Sequence, residues 1–231
     1  MPHLHFNVSI TISSIYNKRC QGFWGMLDLH KEELTLLRSF RTPARVQDFL
    51  DTLPMNFEEG GDTLMSPRRV LREKKAHCME GALLAAAAFW VQKREPLLLD
   101  LRSAAEDDDH VVTLFQERGL WGAVSKTNHA VLRWREPIFK NIHALAASYF
   151  HEYFLDNGRR TLRAYSRPFR LSAKKYAGWL TTETDLWHLS DALDASPHYS
   201  LLPKSAYRHT RPADTMERRA GSFVEWKKPK S

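Results

Sequence analysis

The chain has 231 residues, 43% of them hydrophobic and 26% charged, and a formal net charge of +7. That length is ample for a buried core in one large domain, or one domain with extensions. No apolar run nears the roughly 20 residues that span a bilayer, so no membrane partner is expected. Two cysteines are too few for a disulfide framework, and a reducing cytoplasm is the expected setting.

The opening "MPHLHFNVSITISSIYNKRC" lacks a basic region followed by a continuous apolar one, so it does not read as a signal peptide. Residues 1–25 differ in texture from the rest of the chain and read as an N-terminal extension, with Met26 the expected natural start. "DLHKEELTLLRSF" predicts an amphipathic helix with Leu34, Leu37 and Phe40 on one face. Two more helices carry start signals: Thr42 before Pro43, and Ser66 before Pro67, each a capping residue ahead of a proline at the first helical position.

Next comes "KKAHCMEGALLAAAAFWVQ", uncharged from Gly81 to Gln92 and apolar on every side, which predicts a helix buried at the centre of a domain. "LLLDLRS", "HVVTLFQ", "LWGAVSK" and "HAVLRWRE" then read as strands of an antiparallel sheet. A long helix is expected from Pro137 to about Asp156, stopped by Asn157-Gly158. Beyond it, "SRPFRLS" reads as extended and "TETDLWHLSDALD" as a helix opened by a Thr-x-x-Asp signal. The expected architecture is therefore α+β, a central cysteine-bearing helix on an antiparallel sheet. Residues 26–158 form the core, and 159–231 a basic, partly helical C-terminal extension.

The charge is unevenly placed. Residues 158–176 hold seven arginines and lysines with no acid, while Glu106 to Asp109 form a compact acidic run that reads as a solvated turn. A basic stripe of this kind leaves an acidic partner or nucleic acid open as a reading, against the plainer one of a solvated face.

Cys78 occupies the first turn of the uncharged helix. The positive end of the helix dipole favours thiolate over thiol there, and Lys74 and Lys75 are candidate supporting cations. The plain alternative is a small apolar filler, since free cysteines are commonly buried. A nucleophilic thiol needs a base, and His110, opening the strand "HVVTLF", is the candidate; His77 is expected to point elsewhere on the helix. No paired spacing of the C-x2-C or H-x3-H kind joins these residues to His129, His143 or His151, so neither zinc nor any cofactor is expected. Trp179, Trp187 and Tyr176 read as aromatic packing, with a pocket lining as the alternative.

A cysteine opening a buried helix, then a strand, then a strand begun by histidine, then a strand with tryptophan resembles the transglutaminase-like superfamily of transglutaminases, related peptidases and amidases, and arylamine N-acetyltransferases. The resemblance covers about residues 45–127 and rests on "AHCMEGALLAAAAF", "DDDHVVTLF" and "GLWGAVSK". It implies Cys78 as nucleophile, His110 as base, and a peptide or amide substrate. The family's aspartate after the tryptophan is missing: Trp121 is followed by Gly122, Ala123, Val124, Ser125, Lys126, Thr127 and Asn128. In a hairpin turning at Arg118-Gly119, Val112 faces Ser125 and His110 faces Thr127. A small change in turn length brings Asn128 across instead. Ser125 and Asn128 are thus alternative orienters of the imidazole, asparagine doing this in papain-like proteases. Two readings are open: a thiol enzyme cleaving or transferring an amide, or an inactive binding protein on the same fold.

Overall fold

The computed structural model describes residues 27–228, residue 173 excepted; the N-terminal extension, Met26 and Cys20 lie outside the described residues. Four helices come first: α1 (Lys31–Ser39), α2 (Pro43–Thr52), α3 (Pro67–Glu73) and α4 (Cys78–Val91). The start signals act as read. Thr42 Oγ1 accepts from the Arg45 N–H and Ser66 Oγ from the Arg69 N–H, both at 3.3 Å. Lys74 ends α3 in the left-handed region, φ 55°, and turns the chain toward α4. In α4 every residue except Cys78 and Trp90 is buried. A helix with no polar face has no side to leave in water.

Seven antiparallel strands form one sheet: β1 (Leu97–Arg102), β2 (His110–Glu117), β3 (Leu120–Val124), β4 (Arg135–Phe139), β5 (Ala164–Ser166), β6 (Phe169–Arg170) and β7 (His198–Ser200). The order is β4-β3-β2-β1-β5-β7, with β6 also on β1. Side chains alternate between two cores. Leu98, Val111, Phe115 and Val124 pack toward α4 and its helical neighbours. Leu99, Leu101, Val112, Leu114 and Ala123 pack on the opposite face, against α5 (Ile142–Ser148), Tyr149 and Tyr153. The α+β arrangement is the expected one, but the basic stretch after Gly158 supplies three of the strands in addition to α6 (Trp187–Asp194) and α7 (Thr215–Gly221). No helix among the described residues is long and apolar enough to cross a membrane.

Two expectations fail between residues 129 and 156. "HAVLRWRE" is largely a turn, with Leu132 at φ 60°, and the fourth strand begins only at Arg135. Pro137 does not open a helix. It sits in β4, tolerated because β4 is an edge strand and needs no second row of N–H donors. Ile138, which the expected helix would place on one face with Ile142 and Leu145, is 65% exposed. The helix starts after Asn141, whose Oδ1 accepts from the Ala144 N–H at 2.8 Å. Likewise the Thr-x-x-Asp signal, Thr182 to Asp185, does not open α6: the helix starts after Leu186, and Asp185 accepts instead from the Leu64 N–H and from Arg69.

Two local features position the site. Arg118 and Gly119 have φ of 52° and 79°, the pair of left-handed residues that a tight two-residue hairpin requires. That turn sets Glu117 opposite Leu120 and carries the register down to Thr113 opposite Val124. At Gly81, one turn into α4, the backbone lies against Lys126, which comes just after β3. A Cβ there would meet Lys126 Cβ at 2.4 Å and Cγ at 2.9 Å. Lys126 has little room to yield, being 1% exposed with its Nζ donating to the Leu53 carbonyl at 2.5 Å. Gly81→Ala gains about 1 kcal/mol of helix propensity, whereas overpacking costs about 1–3 kcal/mol. The variant is expected to be less stable in urea denaturation; stability equal to or above wild type would contradict this close approach.

Candidate active site

Cys78 is the first residue of α4 and is half-buried. Burial alone would push its thiol up, but hydrogen bonds from His110 and His77 outweigh that and hold it down at about 5. The stabilising groups are therefore the two imidazoles. Lys74 and Lys75, the candidates in the sequence, are exposed, and the largest stabilising influences on the thiolate come from the imidazoles instead.

His110 opens β2 and is buried. Its Nε2 lies 2.8 Å from Ser125 Oγ, and Ser125 Oγ donates its single hydrogen to the Leu132 carbonyl at 2.5 Å. A carbonyl only accepts, so Ser125 presents a lone pair to the ring and Nε2 carries a hydrogen. The nitrogen left for the sulfur is Nδ1. Ser125 is itself clamped: the Gln47 amide accepts from the Ser125 N–H at 2.9 Å and donates to the Ser125 carbonyl at 2.8 Å. Gln47 from α2 thus extends the ladder where β3 ends. Gln47 is not among the residues that the sequence singles out, although a glutamine between Val46 and Leu50 on the buried side of a helix is itself a signal.

His77 does not point away. It precedes the helix as its N-cap, φ −91° and ψ −175°, which brings its ring to the same sulfur. Nε2 donates to the Thr63 carbonyl at 3.0 Å and lies 3.4 Å from Glu80 Oε1. Burial disfavours the charged ring, yet the hydrogen bond and charge of Cys78, with Glu80 and the Thr63 carbonyl, raise it to about 9. Glu80 is fully buried and accepts from the backbone N–H of His77 and Met65, from Thr63 Oγ1 and from Asn56 Nδ2, at 2.9–3.3 Å. Its sequence position, three residues after the N-cap, is the capping-box position.

Asn128, the alternative orienter, is not used by His110. Its Nδ2 donates to the Trp226 carbonyl and its Oδ1 accepts from the Trp226 N–H, at 2.9 and 2.8 Å. The tight hairpin turn keeps Ser125 on the imidazole, which leaves Asn128 to tie down the C-terminal segment. His129 bonds the Gly221 carbonyl, His143 packs on Tyr165, and His151 packs on Phe150. Trp179 stacks on Trp90 in the core and Tyr176 packs on Phe169. Trp187 instead lines a groove of about 730 Å³ that also exposes His77 and Cys78. The acidic run is more than a solvated turn: Asp107, Asp108 and Asp109 line the same groove. Asp100, Asp109 and Asp194 place one oxygen each within 4.8 Å of one another, but Arg102 already sits among them at 3.8–4.0 Å. The basic stretch is largely engaged within the chain. Arg159 pairs with Glu106, Arg160 with Glu217, Arg170 with Glu95, and Arg163 stacks on Tyr207.

Comparison of the chain with protein-family models and with curated proteins gives no match in either case.

The two-imidazole site has a direct signature. Thiolate absorbance in the ultraviolet should appear as pH rises through about 5 and vanish below it. His110→Gln and His77→Gln should each move that transition upward, and the double variant, with burial left to act alone, should carry it above roughly 8.5, the ordinary thiol value. A wild-type transition above pH 8 would contradict the site.

Proposed function

We propose that this chain is a transglutaminase-like thiol enzyme that cleaves or transfers an amide through an acyl-enzyme. The observation that carries the reading is the continuous chain from Cys78 through His110 to Ser125, ending on the Leu132 carbonyl. In the first step the Cys78 thiolate attacks the amide carbon. The carbonyl π pair moves to oxygen, then returns as the C–N bond breaks. The amine leaves with a proton from His110 Nδ1, and a thioester remains on sulfur. In the second step His110 takes a proton from water or an incoming amine, which attacks the thioester and releases Cys78. The Cys78 N–H lies in the first turn, where no intrahelical partner exists, and is the candidate donor to the oxyanion.

Each departure from the family pattern has a physical consequence. Ser125 in place of aspartate fixes the tautomer of His110 but supplies no opposing charge to its imidazolium. His77 directly before Cys78, a position where the family carries glycine, adds a second imidazole beside the sulfur, which favours the thiolate without help from an acid. The rival reading, an inactive scaffold, draws on that neutral Ser125. A thiol with no catalytic task, however, has no need of two converging imidazoles.

An activated amide or thioester substrate should leave an acyl adduct on Cys78, detected by intact mass. Cys78→Ala should abolish the adduct, His110→Ala should slow its formation roughly 10²–10⁴-fold, and Ser125→Ala should slow it about fivefold, the worth of one neutral hydrogen bond. No adduct with any activated acyl donor, in a folded wild-type protein, would favour the scaffold.

A further inference from the structure

The groove beside Cys78 is acidic in a chain that is basic overall. Glu58 and Asp62 enter it from the segment between α2 and α3, and residues 107–109 from the connection between β1 and β2. Asp100 on β1 and Asp194 at the end of α6 complete the wall, against two basic groups, Arg102 and the His77 imidazole beside the sulfur. Asp62 and Asp108 are exposed, and no ion pair engages either carboxylate among the described residues.

Asp100 stands apart from the rest of this cluster. It is 1% exposed, its Oδ2 bonds His198 Nε2 at 2.9 Å, and its Oδ1 has no hydrogen-bond partner among the described residues. An unsatisfied buried carboxylate oxygen on a groove wall calls for a donor. Arg102 shows which kind of donor the cluster accommodates. Its guanidinium lies among Asp100, Asp109 and Asp194 at 3.8, 3.8 and 4.0 Å, so the oxygens are organised around an organic cation rather than a bare metal ion. Trp187, 45% exposed, adds an indole to the same groove, and an indole face attracts ammonium and guanidinium groups.

Given a reactive Cys78 as proposed above, we propose that this groove selects amide substrates carrying a cationic group, the ammonium or guanidinium of a basic peptide, beside the bond that is attacked. The carboxylates hold the cation, the indole covers it, and the carbonyl is delivered to the sulfur. Acidic peptides are repelled by the same wall before they reach the thiolate.

The test uses three peptidyl vinyl sulfones that differ only in the residue next to the electrophile: lysine, norleucine or glutamate. Labelling of Cys78 in the full chain is followed by intact mass. The lysine probe should label roughly two- to fivefold faster than the norleucine probe, the difference an exposed ion pair makes, and the glutamate probe should be slowest. Asp62→Asn/Asp108→Asn, at two exposed positions, should lower the lysine-to-norleucine ratio, as should added salt. Equal rates for the three probes would overturn the cationic preference while leaving the thiol reading intact. Failure of all three to modify Cys78 in the folded protein would overturn the thiol reading, and the preference with it.

Discussion

A half-buried sulfur, held as an anion by two imidazoles that are themselves held by distant parts of the chain, is the constraint on which the rest of this structure depends. Removing a thiolate from water is costly, and the helix dipole offsets only part of that. His110 and His77 supply the remainder, and neither ring could do so if it were free to turn. His110 is fixed by Ser125, Ser125 by Gln47 on α2 and by the Leu132 carbonyl. His77 is fixed by Thr63 and by Glu80. The helices before the sheet are therefore part of the site and not merely its packing.

This arrangement explains several features that look unrelated in the sequence. The alanines of α4 allow the helix to lie close on the sheet, and Thr113 Oγ1 bonds the Ala82 carbonyl at 2.6 Å across that contact. Gly81 lets Lys126 pass beside the helix, which keeps the chain after β3 near the cysteine. The left-handed pair at Arg118 and Gly119 determines which residue reaches His110: a hairpin longer by one residue would present a different face of β3. Two side chains of charged type are buried here, Glu80 in α4 and Lys126 beside it. Each has its polar atoms engaged, as buried charge requires.

Much of this is legible in the sequence, and the parts that are not have physical reasons. Capping residues before proline mark the starts of α2 and α3 because those signals are local. Short runs of apolar and strand-forming residues mark β1 to β3, buried on both faces, and turn chemistry marks the hairpin that carries Ser125 to His110. Residues 129–156 mislead because Pro137 at an edge strand resembles Pro at a helix start, and only the sheet order tells the two apart. His77 is misplaced if it is treated as helical, because it is the N-cap, one residue outside, where the chain direction differs. Gln47, Asp100 and Asn128 act through partners 50 or more positions away, and no local pattern announces such contacts.

The most direct test of the central claim is the rate at which iodoacetamide alkylates the folded protein at pH 6, compared with free cysteine. A thiol held at about 5 is mostly anionic there, whereas an ordinary one is almost wholly protonated. The account predicts alkylation of Cys78 faster than that of free cysteine, and its loss in Cys78→Ala. Modification of Cys78 that occurs only after unfolding would contradict it.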